Sequence, residues 1–130
     1  MDEASVRKLL QQAAAEKWAF PKRFATLRAL GVERYEVNVL THEIKYVGGR
    51  ASFLDLAPAG FTPLTLGPKF DLDALKTALK RVQGGETGYL AFLSEIAAAG
   101  VSFYRVDMKP ATVTYHGPGN NKYAEKVPLP

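Results

Sequence analysis

The chain has 130 residues, of which 47% are hydrophobic, and this is enough for one globular domain with a buried core. The absence of cysteine excludes disulfides, thiolate metal sites and thiol chemistry. No stretch is apolar for long enough to cross a bilayer, and the N-terminal residues lack the basic start and apolar run of a secretory signal. We therefore expect a cytoplasmic protein that does not associate with membranes.

The formal net charge of +4 raises the question of nucleic-acid binding. Residues 1–61 hold nine Lys and Arg against seven Asp and Glu, and residues 62–130 hold eight against six. The basic excess is therefore spread evenly, whereas nucleic-acid binders concentrate it on one face or tail. Nucleic acid is not an expected partner, and weak nucleic-acid binding stays an alternative that rests on the high pI.

The first half of the chain predicts two helices followed by a β-hairpin. The second helix begins at Pro21, since proline is favoured in the first helical turn, and ends at Gly31, which suits a left-handed cap. After this glycine the apolar period changes from helical to alternating, which indicates strands. A third strand is predicted near 52–56. The apolar positions are Val6, Leu9, Leu10 and Ala13, then Phe20, Phe24 and Leu27, then Tyr35, Val37, Val39, Ile44 and Tyr46.

A proline-containing segment at 57–69 follows and is predicted to be a linker. Proline cannot donate to a strand ladder, so a central strand is excluded here, although 61–66 could form an edge strand.

The second half predicts the same elements again. Asp71 is suited to cap a helix that stops at the glycine pair 84–85, and another helix begins near Gly88 and ends at Gly100. A hairpin follows, with a further strand near 122–127. The apolar positions are Leu72, Leu75, Leu79 and Val82, then Tyr89, Leu93 and Ile96, then Tyr104, Val106, Met108, Val113 and Tyr115.

The two halves match without a gap when the chain is shifted by 69 residues. Seven of the twenty residues at 29–48 recur identically, where composition would give about one or two. We therefore predict an internal duplication of an ααββ(β) unit, with repeat one at 1–56 and repeat two at 70–130. A half of about 60 residues is marginal alone. The halves should therefore pack around a pseudo-twofold axis into a single α+β domain, 1–130, with helices on one face of antiparallel hairpins.

Short motifs at the helix caps and strand starts are Phe20-Pro21, Gly31-Val32 and Tyr35-x-Val37-Asn38, then Gly100-Val101-x-x-Tyr104-x-Val106-Asp107 with Tyr115. This set resembles the YbcV-like family of uncharacterised bacterial proteins, a domain of unknown function sometimes labelled "phage envelope protein". The resemblance covers nearly the whole chain and implies this fold and a bacterial cytoplasmic setting. Because its motifs are structural, it implies no catalytic residues.

The hairpins are predicted to turn over four residues, at 109–112 in the second. Val106 then pairs with Tyr115, and Val37 with Tyr46, so that all apolar partners share one face.

The same register predicts a polar constellation on the opposite face. Arg105 lies opposite His116, with Asp107 diagonal to the histidine. A cation, a carboxylate and an imidazole on one face could bind an anion or transfer a proton, so these three are the candidate ligand-binding residues. Asp107 would raise the pKa of His116 and Arg105 would lower it, which leaves the direction open. The competing interpretation is a solvated face with cross-strand ion pairs.

Other chemistry is not indicated. The chain has neither a phosphate-binding loop nor a Gly-x-Ser-x-Gly elbow. Its two histidines, His42 and His116, are not matched by the repeat and have no carboxylate cluster beside them, so we expect no metal site and no cofactor. Whether the protein is an enzyme stays open.

Four tyrosines recur in both halves on the apolar face. Such residues are normally core, with hydroxyls that reach its rim. The alternative is a ligand pocket lined by them at the interface of the halves. They are Tyr35, Tyr46, Tyr104 and Tyr115.

Three functions are compatible with these features. The lack of catalytic motifs favours a non-enzymatic binding or interaction module, with an unidentified small-molecule or protein partner and with sheet edges suited to a homo-oligomer. The first alternative is a small enzyme or anion-binding site at Arg105, Asp107 and His116. The second is a weak nucleic-acid binder.

Overall fold

The computed structural model describes residues 1–127, which form four helices and a six-stranded antiparallel sheet. The fold is α+β, as the alternation of patterns predicted. The elements are α1 (Glu3–Glu16), α2 (Phe20–Ala29), β1 (Arg34–Asn38), β2 (Ile44–Gly48), β3 (Ala51–Asp55), α3 (Leu72–Gln83), α4 (Tyr89–Ala98), β4 (Phe103–Asp107), β5 (Thr112–His116) and β6 (Lys122–Lys126).

Side-chain and glycine caps set the helix ends. Asp2 and Asp71 precede α1 and α3, and the Asp71 carboxylate accepts a hydrogen bond from the backbone N–H of Ala74 at 3.0 Å. Such a cap contributes about 1 kcal/mol, because it satisfies an otherwise unpaired helix donor. Gly31 and Gly100 both have φ of +90° after α2 and α4, which confirms the predicted left-handed positions.

The two halves are joined in the middle of the sheet, whose strand order is β3-β2-β1-β4-β5-β6. The central β1–β4 pair is antiparallel and places Glu36 opposite Arg105, two residues separated by the 69 positions of the sequence match. Each half has the order helix, helix and three strands. The duplication and its boundaries stay predictions, and residues 128–130 of the second predicted repeat lie outside the described residues.

The predicted hairpin register is wrong by two residues. Tyr115 pairs with Tyr104, and Val113 pairs with Val106, because the turn takes residues 108–111. Its last residue, Ala111, has φ of +53°, and its N–H donates to the Met108 carbonyl at 3.2 Å. Because a left-handed residue can close the tight turn, the first pair of strand residues is Asp107 and Thr112. The predicted first pair, Met108 and Val113, lies one residue later on each strand.

The first hairpin is corrected in the same way. Val37 pairs with Ile44 instead of Tyr46, and His42 is the turn residue with positive φ, at +60°. A slip of two residues leaves every side chain on its original face, since side chains alternate with a period of two. The predicted faces therefore hold although the predicted partners do not.

The helices cover one face of the sheet. Val37, Val106 and Ile96 are fully buried and Leu27 is 1% exposed, which confirms the predicted core. The inward residues of the strands and the apolar faces of the helices form one cluster. The four repeated tyrosines belong to this cluster and are buried.

The linker is not a strand. The Leu64 N–H donates to the Leu40 carbonyl at 2.8 Å, and the Phe61 ring packs on His42 with centroids 5.1 Å apart. The segment thus covers the first turn through single contacts instead of extending the sheet, and the suggested edge strand at 61–66 is wrong.

Replacing Val106 by alanine should lower the free energy of unfolding by about 1–3 kcal/mol, because it removes two methyl groups from a fully buried site and leaves a void. Urea denaturation followed by circular dichroism measures this. The matched control is Val47→Ala on the half-exposed opposite face of the sheet, where the loss should be smaller. Equal losses in the two variants would contradict the assigned burial.

Candidate functional site

The face of the sheet without helices carries the polar constellation predicted from the sequence. Arg105 donates from Nε to both carboxylate oxygens of Asp107, at 2.9 and 3.2 Å, and its Nη2 lies 2.9 Å from Oδ1. The two residues lie on the same strand, two positions apart, so they point the same way. The structure therefore brings Arg105 and Asp107 together as an ion pair.

His116 is not part of that pair. The corrected register puts it opposite Phe103, and the two rings stack with centroids 4.4 Å apart and planes 7° apart. Burial lowers the pKa of His116, and the charges of Lys122 and Arg105 lower it further, while Glu36 opposes them. The sequence left the direction of the pKa shift of His116 open, and in the structure the shift is downward. Asp107 does not contribute to it.

Each member of the predicted constellation already has a partner within the protein. The Asp107 carboxylate is held by Arg105, and the His116 ring is covered on one side by Phe103. Asp107 lines a shallow depression of about 620 Å³ that Arg105 and His116 do not line. Ligand binding by these three residues stays a prediction.

A more enclosed cavity, of about 540 Å³, lies on the helical side of the sheet. Its walls are the start of α2, the end of α3 and the start of α4, and its floor is formed by β4, β5 and β6. It therefore lies where the two halves meet. Its aromatic lining consists of Phe20, Tyr89, Phe92, Tyr104 and Tyr115.

Tyrosine hydroxyls supply hydrogen-bonding groups in this cavity. The Tyr89 and Tyr104 hydroxyls lie 2.6 Å apart and share a hydrogen bond. Tyr115 is 5% exposed, and its hydroxyl has no hydrogen-bond partner among residues 1–127. Burial raises the pKa of all three, so their hydroxyls stay protonated near neutral pH.

One end of the cavity is acidic. Glu125 points inward from β6, where it pairs with Val113, and its Oε1 accepts a hydrogen bond from the Gln83 side chain at 3.1 Å. Burial raises the pKa of Glu125, and the hydrogen bond from Gln83 opposes this. Its charge also raises the pKa of Tyr115, after the larger effect of burial. Glu125 and Tyr115 are therefore close neighbours.

The other end is basic. Arg23 of α2 is half-buried and lines the cavity, and it forms no ion pair within the described part of the chain. Burial raises the pKa of Tyr35 and of Tyr46, and the nearby Arg23 charge acts in the opposite direction on both. Those tyrosines belong to β1 and β2, whereas Glu125 belongs to the edge strand β6.

Sequence reasoning anticipated the buried tyrosines but did not identify Arg23 or Glu125. A signal for Glu125 existed, because it lies at an inward position of the third predicted strand, two residues after Tyr123, where an apolar residue is expected. Arg23 gave no such signal, since its role depends on how α2 packs against the other half.

Comparison with known proteins places the chain in a family. Residues 8–126 match a family model described as "Protein of unknown function (DUF1398)". The chain belongs to the DUF1398 family. Uncharacterised proteins of Mycobacterium bovis and Mycobacterium tuberculosis are each 32% identical to it over 106 residues, which is 82% of this chain and 65% of theirs. The chain therefore spans less than two thirds of the length of these curated relatives.

Membership in DUF1398 confirms the predicted relation to a family of unknown function. Within residues 1–127 no helix is long and apolar enough to cross a membrane. In the same part of the chain, no three His, Asp or Glu side chains are grouped as a metal site would need.

Replacing Glu125 by glutamine should raise the melting temperature at pH 7. A carboxyl whose folded pKa is raised contributes stability below its unfolded pKa and loses it as pH rises through the folded value. At pH 7 the half-buried Glu125 carboxylate is charged, and its partial burial costs stability that a neutral glutamine does not lose. Near pH 3.5 Glu125 is protonated in both the folded and the unfolded protein, so the rise in melting temperature caused by Glu125→Gln should be smaller.

Calorimetry at the two pH values tests this, with Glu86→Gln as the control at an exposed carboxyl. An equal gain from both variants at pH 7 would show that burial of Glu125 is not the cause.

Proposed function

We propose that this DUF1398 protein is a non-enzymatic binding module whose small-molecule ligand occupies the cavity between α2, α3, α4 and the sheet. The observation that carries this proposal is the cavity itself, about 540 Å³ in volume and walled by five aromatic side chains. Ligand sites are concave, largely apolar and supplied with a few polar groups, and their volumes are on the order of 300–1,000 Å³.

The distribution of polar groups also supports a binding site. A core position normally holds no polar group without a partner, because its desolvation is not compensated. The half-buried Arg23 has no ion-pair partner among residues 1–127, and it lines the same space as Tyr115, whose hydroxyl makes no hydrogen bond to those residues. A bound ligand could supply a partner to both.

The chemistry of the lining favours binding over catalysis. Because burial raises the pKa of Tyr104 and Tyr115, these hydroxyls serve as hydrogen-bond donors and are poor nucleophiles or bases. No serine or threonine hydroxyl and no imidazole is among the described residues that line the cavity.

Self-association is a second candidate, and it would use the other face of the sheet. Leu54 is 48% exposed and Phe103 is 36% exposed, and both line a depression of about 360 Å³ there. Exposed apolar groups of this kind occur at protein interfaces. We accordingly propose a homo-oligomer, and on the sequence features we also propose a cytoplasmic location and a closer relation to the YbcV-like proteins.

Sedimentation velocity of the wild type and of Phe103→Ser tests self-association. We expect a dimer that the substitution weakens, because it removes an exposed ring from the contact. A monomeric wild type over the whole concentration range would remove this candidate.

A thermal-shift screen of small amphipathic molecules tests the cavity. Ligands that raise the melting temperature of the wild type should lose most of their effect in Val82→Phe, since Val82 lines the cavity and a larger ring would fill it. Val47→Phe makes the same change on the opposite face and should leave the shift intact. His116→Ala should also bind normally, whereas loss of binding there would favour the hairpin face predicted from the sequence.

A second pair of variants tests the hydroxyl without filling the space. Tyr115→Phe removes one hydroxyl from the cavity, and a lost hydrogen bond of about 0.5–1.5 kcal/mol should weaken binding about two- to tenfold. Tyr46→Phe removes a hydroxyl at the equivalent place in the first half, outside the cavity lining, and should leave affinity unchanged. Equal effects of the two substitutions on affinity would argue against the site.

A further inference from the structure

Arg23 is an unpaired cation in a largely apolar wall. Of the described residues that line the cavity, it alone carries a permanent positive charge. Its nearest aromatic partner is Phe20, whose ring centroid lies 6.0 Å from the guanidinium carbon. That distance is at the outer limit of a cation–π contact, so it compensates little of the cost of partial burial. The guanidinium therefore retains its capacity to bind an anion.

The surroundings of Arg23 also favour negative charge. The helices α2 and α4, each of 10 residues, begin at the cavity, and neither has a side-chain cap. The N-terminal residues of a helix leave backbone N–H groups unpaired and carry the positive end of its dipole. The hydroxyl pair of Tyr89 and Tyr104 lies at the start of α4, and one of its two protons is free to donate to a ligand.

The acidic end does not neutralise Arg23. Glu125 is hydrogen-bonded by Gln83, and it stands on β6, three strands from β1 in the sheet order. Arg23 lies on α2, whereas Glu125 is held beside Gln83 at the end of α3, and the two form no ion pair with each other. The Arg23 charge acts on Tyr35, Tyr46 and Tyr89, and the Glu125 charge acts on Tyr115, in keeping with this separation. The separated charges favour one orientation of a charged ligand.

We propose that the ligand is a small organic carboxylate, whose anionic group pairs with Arg23 and whose apolar body lies along the aromatic wall. This inference rests on the proposed binding function and names the class of ligand. The planar guanidinium matches a carboxylate with two parallel hydrogen bonds, a geometry that an ammonium cannot reproduce. The carboxylate of Glu125 repels an anion, which directs the charged group of the ligand to the other end.

Matched pairs of acids and primary amides test the charge without changing the size of the probe. The probes are 2-naphthoate with 2-naphthamide and octanoate with octanamide, titrated at pH 7 by calorimetry into the full chain. The carboxylate of at least one pair should bind about ten- to a hundredfold more tightly than its amide, because a charge-assisted hydrogen bond is stronger than a neutral one.

Two variants on one helix assign the effect to a residue. Arg23→Gln should remove the preference for the acid and leave the weaker binding of the amide unchanged. Arg28→Gln is the matched control, since Arg28 is exposed on α2 and does not line the cavity, and it should keep the full preference. Arg23→Lys should restore part of the preference, as it keeps the charge but loses the paired hydrogen bonds.

The outcomes separate this inference from the function on which it rests. Equal affinity for acid and amide in the wild type, with binding abolished by Val82→Phe, would overturn the carboxylate and leave the binding module standing. A preference for the acid that survives Arg23→Gln or disappears in Arg28→Gln would also overturn it. Failure of every probe to bind would count against both proposals.

Discussion

The pairing of β1 with β4 is the interaction on which the remaining structure depends. It turns two three-stranded units into one six-stranded sheet and removes two strand edges that would otherwise be exposed. The joined sheet also lets the start of α2, from the first half, line the same cavity as α3 and α4 of the second half. The cavity therefore has walls from both halves. A half alone could not form it.

The two turns carry different side chains at their left-handed positions. In the first half His42 packs between Phe61 and Tyr89, with ring centroids 5.1 and 5.6 Å away. The residue 69 positions after His42 is Ala111, and the one 69 positions before Tyr89 is Phe20. A methyl group cannot pack on two aromatic rings as the imidazole does, and of this second pair Phe20 lines the cavity whereas Ala111 does not.

Element order and buried faces could be predicted from the sequence, because they follow from local period and caps. The predicted register of both hairpins was wrong by two residues. The predicted face of Val106 was still right, because side chains alternate with a period of two residues. The register itself could not be predicted, because His42 and Ala111 hold the left-handed positions where glycine or asparagine is expected. The sequence offered a pocket lined by the repeated tyrosines at the interface of the halves as an alternative, and Tyr104 and Tyr115 do line the cavity. Its other lining residues depend on how α2 approaches α4, which no local pattern encodes.

The two faces of the sheet differ in how well their polar groups are satisfied, and this difference supports the proposed binding site. On the outer face Arg105 and Asp107 neutralise each other in water, an arrangement that contributes little stability and leaves no demand for a ligand. On the helical face the half-buried Arg23 lines the cavity without an ion-pair partner among residues 1–127, and partial burial of an unpaired cation costs stability. An apolar side chain at this position would avoid that cost. The cation suits the proposed binding site, because the interaction energy that it lacks in the free protein is available to a ligand.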